Sequence, residues 1–179
     1  MRMRTLALPL AAGLATVVVA AGAPAQAATT GSTPVTFEVT GGALSITVPV
    51  GPVDLGSVPV SVTPQDVSAQ LGNVTVTDAR GGTAGWTVTA GGVDFIGPSS
   101  TVSVSAPGSS SYNPGPINTT GNVVATGTIL TPIYPPGTVV QGNLVSGVNT
   151  ATWNPTITVT VPGNTLVGQY TSTITHSVN

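Results

Sequence analysis

From residue 35 onward, apolar and polar side chains take turns. Val35, Phe37 and Val39 alternate with Thr36, Glu38 and Thr40, and the same rhythm returns in Val74-Thr75-Val76-Thr77 and in Thr156-Ile157-Thr158-Val159-Thr160-Val161. A period of two puts one residue type on each side of an extended chain, the pattern of a half-buried strand. No stretch beyond residue 27 carries an apolar period near 3.6, so no helix is expected there. Strands are predicted at Val35 to Thr40, Leu44 to Val48, Ser57 to Val62, Val74 to Thr77, Gly85 to Thr89, Thr101 to Ser105, Val123 to Thr128, Thr138 to Gln141, Thr156 to Val161 and Gln169 to Val178.

Short strands separated by Gly and Pro signals favour an all-β fold of two packed antiparallel sheets, a β-sandwich. A closed barrel would bury its edges equally well, and pattern does not separate the two. The rhythm fails at 106–121, APGSSSYNPGPINTTG, whose prolines and lack of period predict a long surface loop. Tyr112 within it and Tyr134 beyond it are then candidate exposed contacts. The residues on either side are too few for two independent cores, so 28–179 is expected to be a single domain.

Parity assigns the larger side chains. Trp86 shares a face with Val88, and Trp153 shares one with Pro155, Ile157, Val159 and Val161. In the last predicted strand, Tyr170, Ser172, Ile174, His176 and Val178 alternate with Thr171, Thr173, Thr175 and Ser177. Both tryptophans and His176 are therefore expected to point inward.

The first 27 residues read differently. Arg2 and Arg4 precede an apolar run from Leu6 to Ala23 and a small-x-small site at Ala25-Gln26-Ala27, the pattern of a signal peptide cleaved after Ala27. Export is expected, to the cell surface or beyond it. With no cysteine in the chain there is neither a disulfide nor a thiol for a lipid, so retention at the surface would have to be non-covalent.

Charge then narrows the function. Beyond residue 27 a single cation, Arg80, faces Glu38, Asp54, Asp66, Asp78 and Asp94, a formal balance of −4. One arginine cannot neutralise a phosphate backbone or hold to an anionic bilayer, so neither nucleic acid nor a membrane surface is expected as partner. Hydrophobic residues make up 40% of the chain and charged ones 4%, a composition that folds by burial. The single histidine, His176, has no serine in a Gly-x-Ser-x-Gly elbow to work with, which argues against an enzyme. One histidine and no cysteine also argue against a closed zinc site. Calcium needs only oxygens, but the aspartates do not form a calcium loop pattern, so no cofactor is expected.

Asp78-Ala79-Arg80-Gly81 reads as a turn, with an aspartate that caps it and a glycine for positive φ. Asp78 and Arg80 are two residues apart and within reach of each other; the pair either braces the turn or presents its arginine to a ligand.

VTVTDARGGTAGWTV, followed far downstream by WNPTITVTVPGNTLVGQYTSTITHSV, resembles the WxL domain of secreted Gram-positive surface proteins. Asp78, Arg80, Gly81, Gly85 and Trp86 match its first motif region, with Val88 where leucine is expected. Gly168 and Tyr170 match the second, while His176-Ser177-Val178 stands where that family has Trp-x-Leu. The resemblance implies a non-catalytic domain associated with peptidoglycan or another cell-wall glycan, sometimes within a complex of surface proteins. The alternatives are a released subunit that pairs through an edge strand and, lower in order, a wall hydrolase.

Overall fold

The computed structural model describes residues 30–179; the expected leader and its cleavage site at Ala27 lie outside them. Every regular element among the described residues lies in the second of the chain's two compact units, Glu38–Asn179, and is a strand. Among the described residues no helix is long and apolar enough to cross a membrane.

The largest sheet is organised on β9 (Gly137–Trp153), a strand of 17 residues. β8 (Ile117–Gly127) runs antiparallel to it from Ile117 opposite Trp153 to Gly127 opposite Val140, with register shifts around Asn122. β3 (Val74–Asp78) pairs with the C-terminal part of β9, and β4 (Trp86–Gly92) with its N-terminal part, so β3 and β4 follow one another along the opposite edge. β1 (Leu44–Thr47) flanks β3, and β11 (Ile174–Val178) flanks β4. β1 and β11 come into contact, so the six-stranded sheet nearly closes, like a barrel. The second layer holds β2 (Gln65–Gln70), β10 (Thr156–Val161) and β7 (Ser110–Asn113), with β10 central; β5 (Phe95–Ile96) and β6 (Thr101–Val102) form a small hairpin.

The alternation seen in the sequence becomes the core. Val74 and Val76 of β3, Val88 and Ala90 of β4, Tyr112 of β7 and Ile157 and Val159 of β10 are buried in one cluster, while the threonines between them stay half-exposed. The two layers therefore share a core, as a sandwich does. The expected all-β antiparallel class is what the chain adopts. Trp153 and Ile157 keep the parity expected of them but belong to different layers, because Asn154 and Pro155 carry the chain from β9 into β10.

Four expectations are corrected. The stretch 106–121 is not a surface loop: it contains β7 and the start of β8, and Tyr112 is 1% exposed. Its prolines, Pro107, Pro114 and Pro116, stand outside the strands, where a missing N–H costs no ladder bond. Ser57 to Val62 forms no strand; Pro59 removes a donor there, and the strand comes later, at β2, where only Val67 and Ala69 show the pattern. Val35 to Thr40 likewise forms no strand among the described residues and is exposed throughout. Finally, β9 continues 12 residues past its expected end at Gln141, through Gly142, Asn143, Gly147 and Asn149, because β8 supplies a ladder that intrinsic propensity does not predict.

Candidate functional site

Two polar networks and two concave surfaces hold every residue that the sequence singles out, apart from Val88, which is packed in the core opposite Val178 and Val140. The first network closes the β3–β4 connection. Asp78, at the inward parity of β3, is 1% exposed; Arg80 lies two residues on, its side chain 32% exposed. Arg80 donates from Nε to Asp78 Oδ1 at 2.9 Å and from Nη2 to Asp78 Oδ2 at 2.9 Å, and its backbone N–H donates to Oδ1 at 3.1 Å. Nη2 also donates to the carbonyls of Ala84 and Gly85, at 3.0 and 3.1 Å. The guanidinium thus clamps both ends of the 79–85 loop, and Gly81 supplies its positive φ of 73°. The hydrogen bonds from Arg80, more than its charge alone, hold the Asp78 carboxyl below the usual carboxylate range. Asn149 of β9 extends the network: its Oδ1 accepts from Trp86 Nε1 at 3.2 Å, and its Nδ2 makes a long 3.5 Å contact with Asp78 Oδ2. Arg80 braces the turn.

The second network joins the layers. Trp153 Nε1 on β9 donates to the Tyr112 hydroxyl on β7 at 2.9 Å, and that hydroxyl lies 3.0 Å from His176 Nε2 on β11. The Tyr112 and His176 rings meet edge-on, their centres 5.5 Å apart. Burial pushes His176 down to about 4 and raises Tyr112 above its ordinary value, so at neutral pH both are uncharged. The protons then run one way: indole N–H to phenol oxygen, phenol O–H to imidazole nitrogen.

Asn149 is the member that sequence reasoning missed. It had a signal, since it shares the parity of Ala151 and Trp153 and is therefore an amide on an inward face. Gly142 is another: a Cβ there would collide with the Trp86 ring, and this glycine lets the indole lie on β9.

His176 also lines the larger concave surface, a cleft of about 1060 Å³ between the layers. Val67, Ile157 and Val159 form one wall; Ile174 and Tyr170 belong to the other, and residues 48–61 border it. Tyr170 is apart from both networks. Its hydroxyl bonds to Ser100 Oγ and donates to the Leu166 carbonyl at 2.8 Å. The second surface is a hollow of about 300 Å³ lined by Val93, Asp94, Ser105 and Tyr134. The Tyr134 side of it is open, with this residue 50% exposed, and Asp94 is oriented by the Val104 N–H, which donates to Oδ1 at 2.9 Å.

Among the described residues, no three His, Asp or Glu side chains come together as a metal site. No family model, no curated protein and no solved structure matches the chain.

Proposed function

We propose that this chain is a secreted, non-catalytic module of the cell surface that holds to peptidoglycan or another wall glycan without a covalent link, and that its glycan contact is the Tyr134 hollow. The observation that carries this reading is the half-exposed Tyr134 beside the Asp94 carboxylate and the Ser105 hydroxyl. A ring face takes sugar C–H groups, and an oriented carboxylate with a neighbouring hydroxyl takes sugar hydroxyls. Tyr112, the other aromatic expected at the surface, is spent on the core.

The ionisable groups support a binding role over a hydrolytic one. Asp78 and Arg80 hold each other, Asp54 caps the Gly56 N–H, Asp66 accepts from the Thr160 hydroxyl, and Asp94 anchors Val104. Glycoside hydrolysis asks for two carboxyls facing each other across a sugar ring. A complex-forming role alongside wall binding is supported by β2, an edge strand that among the described residues pairs only with β10.

The test is co-sedimentation with purified peptidoglycan. Wild type should sediment and Tyr134→Ala should stay in solution while keeping its near-ultraviolet circular dichroism. Equal sedimentation of the two would remove the hollow as the contact. A chelator should leave ring-based retention intact; loss on chelation would assign retention to divalent cations bridging this acidic chain to acidic wall polymers.

A further inference from the structure

We propose that the Tyr134 hollow selects wall polymer that carries free amines, with an ammonium group held by the Asp94 carboxylate and the Tyr134 ring. This rests on the reading of the hollow as the glycan contact and adds the chemistry by which it chooses.

The hollow is built from three connections that are bonded to one another. Val93 and Asp94 join β4 to β5, Ser105 follows β6, and Tyr134 lies between β8 and β9. Each segment is fixed one residue away from the side chain it presents. Gly92 N–H donates to the Ile133 carbonyl at 3.0 Å, and Ile133 N–H donates to Ser110 Oγ at 3.0 Å. Val104 N–H donates to Asp94 Oδ1 at 2.9 Å. Ile133 and Val104 are themselves buried in the core, so Tyr134 and Ser105 follow anchored neighbours. A site formed in advance loses little freedom when a ligand arrives.

Its charge is one-sided. Asp94 is the only acidic or basic side chain in the lining, and its Oδ2 carries no hydrogen bond among the described residues. Arg80, the one cation beyond residue 27, is already held by Asp78 and by the Ala84 and Gly85 carbonyls. The half-buried Asp94 thus lacks a counter-ion among the described residues.

A carboxylate beside an accessible aromatic ring suits an organic ammonium better than the alternatives. The carboxylate accepts charge-assisted N–H bonds, and the ring attracts the same cation through its face. A sugar hydroxyl would donate to Oδ2 but leave its charge unbalanced. Calcium takes about six to eight oxygens, whereas the lining brings one carboxylate and two hydroxyl-bearing side chains. Acetylating an amine removes its charge and two of its three N–H donors, so the hollow should tell the free amine from the acetamide.

The test is calorimetric titration of the exported protein with a glucosamine tetramer and with the same tetramer fully N-acetylated. Wild type should bind the amine form about tenfold tighter, the combined worth of a partly screened ion pair and a cation on a ring. Asp94→Asn keeps an acceptor for Val104 N–H, so it should retain its thermal midpoint while the two affinities converge. Asp66→Asn removes the same formal charge elsewhere and should keep the preference. Nα-acetyl-lysinamide distinguishes the source of the amine: competition as strong as that of the amine tetramer places the ammonium on the wall peptide, and weak competition places it on the sugar. Equal wild-type affinities, no binding of the amine form, a preference that survives Asp94→Asn, or one lost equally in Asp66→Asn would each overturn the proposal. Peptidoglycan retention that depends on Tyr134 but is unchanged by Asp94→Asn and by acetylating the wall would leave the glycan contact standing and remove only the ammonium.

Discussion

The two buried networks use similar parts in different electrical states. At the β3–β4 loop, a tryptophan N–H reaches an amide oxygen, and the amide leans on a carboxylate that an arginine neutralises from the solvent side. Between the layers, a tryptophan N–H reaches a phenol, and the phenol a neutral imidazole. The first network binds segments of one sheet. The second spans three strands in two layers, β9, β7 and β11, where a charge would meet no counter-ion. Position explains the difference: an ion pair is tolerable where one partner keeps contact with water, and a fully enclosed one costs more than it returns. The chain keeps Arg80, its one cation beyond residue 27, at the rim and seals the interior with neutral donors and acceptors.

The largest separation should appear on truncating each tryptophan. Trp153→Ala and Trp86→Ala each open a cavity worth about 3 to 5 kcal/mol, and each strands an acceptor. Trp153 should cost more. It lies between Val74 and Ile117 in the ladder, and its loss loosens the only indole link to the second layer, whereas Trp86 rests against Gly142 at one end of the sheet. Urea unfolding followed by circular dichroism would rank them. A larger loss from Trp86→Ala would make the loop network, and not the inter-layer one, the keystone.

Acid should separate the networks next. The folded His176 is held near 4 against an ordinary 6.5, so the unfolded chain takes up the proton first. That stability is complete above about pH 6.5 and drains away as the pH falls towards 4, by about 2 to 3 kcal/mol once solvent at a half-buried ring is allowed for. Protonation also spoils the relay, because imidazolium and indole would both donate to the same phenol oxygen. Asp78 is depressed as well, but its contribution holds down to its ordinary 3.8 and is lost only below that. Stability should thus fall in two steps, the inter-layer network before the ion pair. His176→Gln, which keeps an acceptor for Tyr112, should flatten the upper step and leave the lower one. A slope between pH 6.5 and 4 that survives the substitution would clear His176 of the effect.

Much of this was legible in the residues. Parity placed Trp86, Trp153 and the β11 series correctly, because each lies in a Thr-and-Val run whose partner faces are already implied by the alternation. Tyr112 was not legible. Its strand is four residues of Ser, Tyr and Asn between prolines, and it exists because Ile157 lies opposite Tyr112 in β10 while Leu130 bridges it from the other side. Such partners are set by topology, about which local sequence is silent. Val35 to Thr40 is the converse, a strand pattern that forms no strand. Asn149 was hidden for a third reason: a lone amide in a run of Gly, Ser and Asn reads as turn chemistry until the ladder with β8 shows it to be strand.

The smallest effect asks whether Arg80 acts by charge or by shape. Lysine would keep the positive charge beside Asp78 and could reach one carboxylate oxygen. A single ammonium cannot reproduce the two-nitrogen fork, in which Nε holds Asp78 Oδ1 while Nη2 holds Oδ2 and the Ala84 and Gly85 carbonyls that close the loop onto the start of β4. If charge is what counts, Arg80→Lys is nearly silent. If the planar fork is what counts, the variant loses about 1 to 2 kcal/mol, the worth of one or two charge-assisted bonds at a site partly open to water. The fork is the expected answer, because hydrogen bonding outweighs the plain ionic attraction in holding Asp78 charged. The fluorescence of Trp86, at the end of the same loop and tied to Asp78 through Asn149, should shift in Arg80→Lys if the loop loosens. An unshifted spectrum with unchanged stability would mean that a point charge suffices.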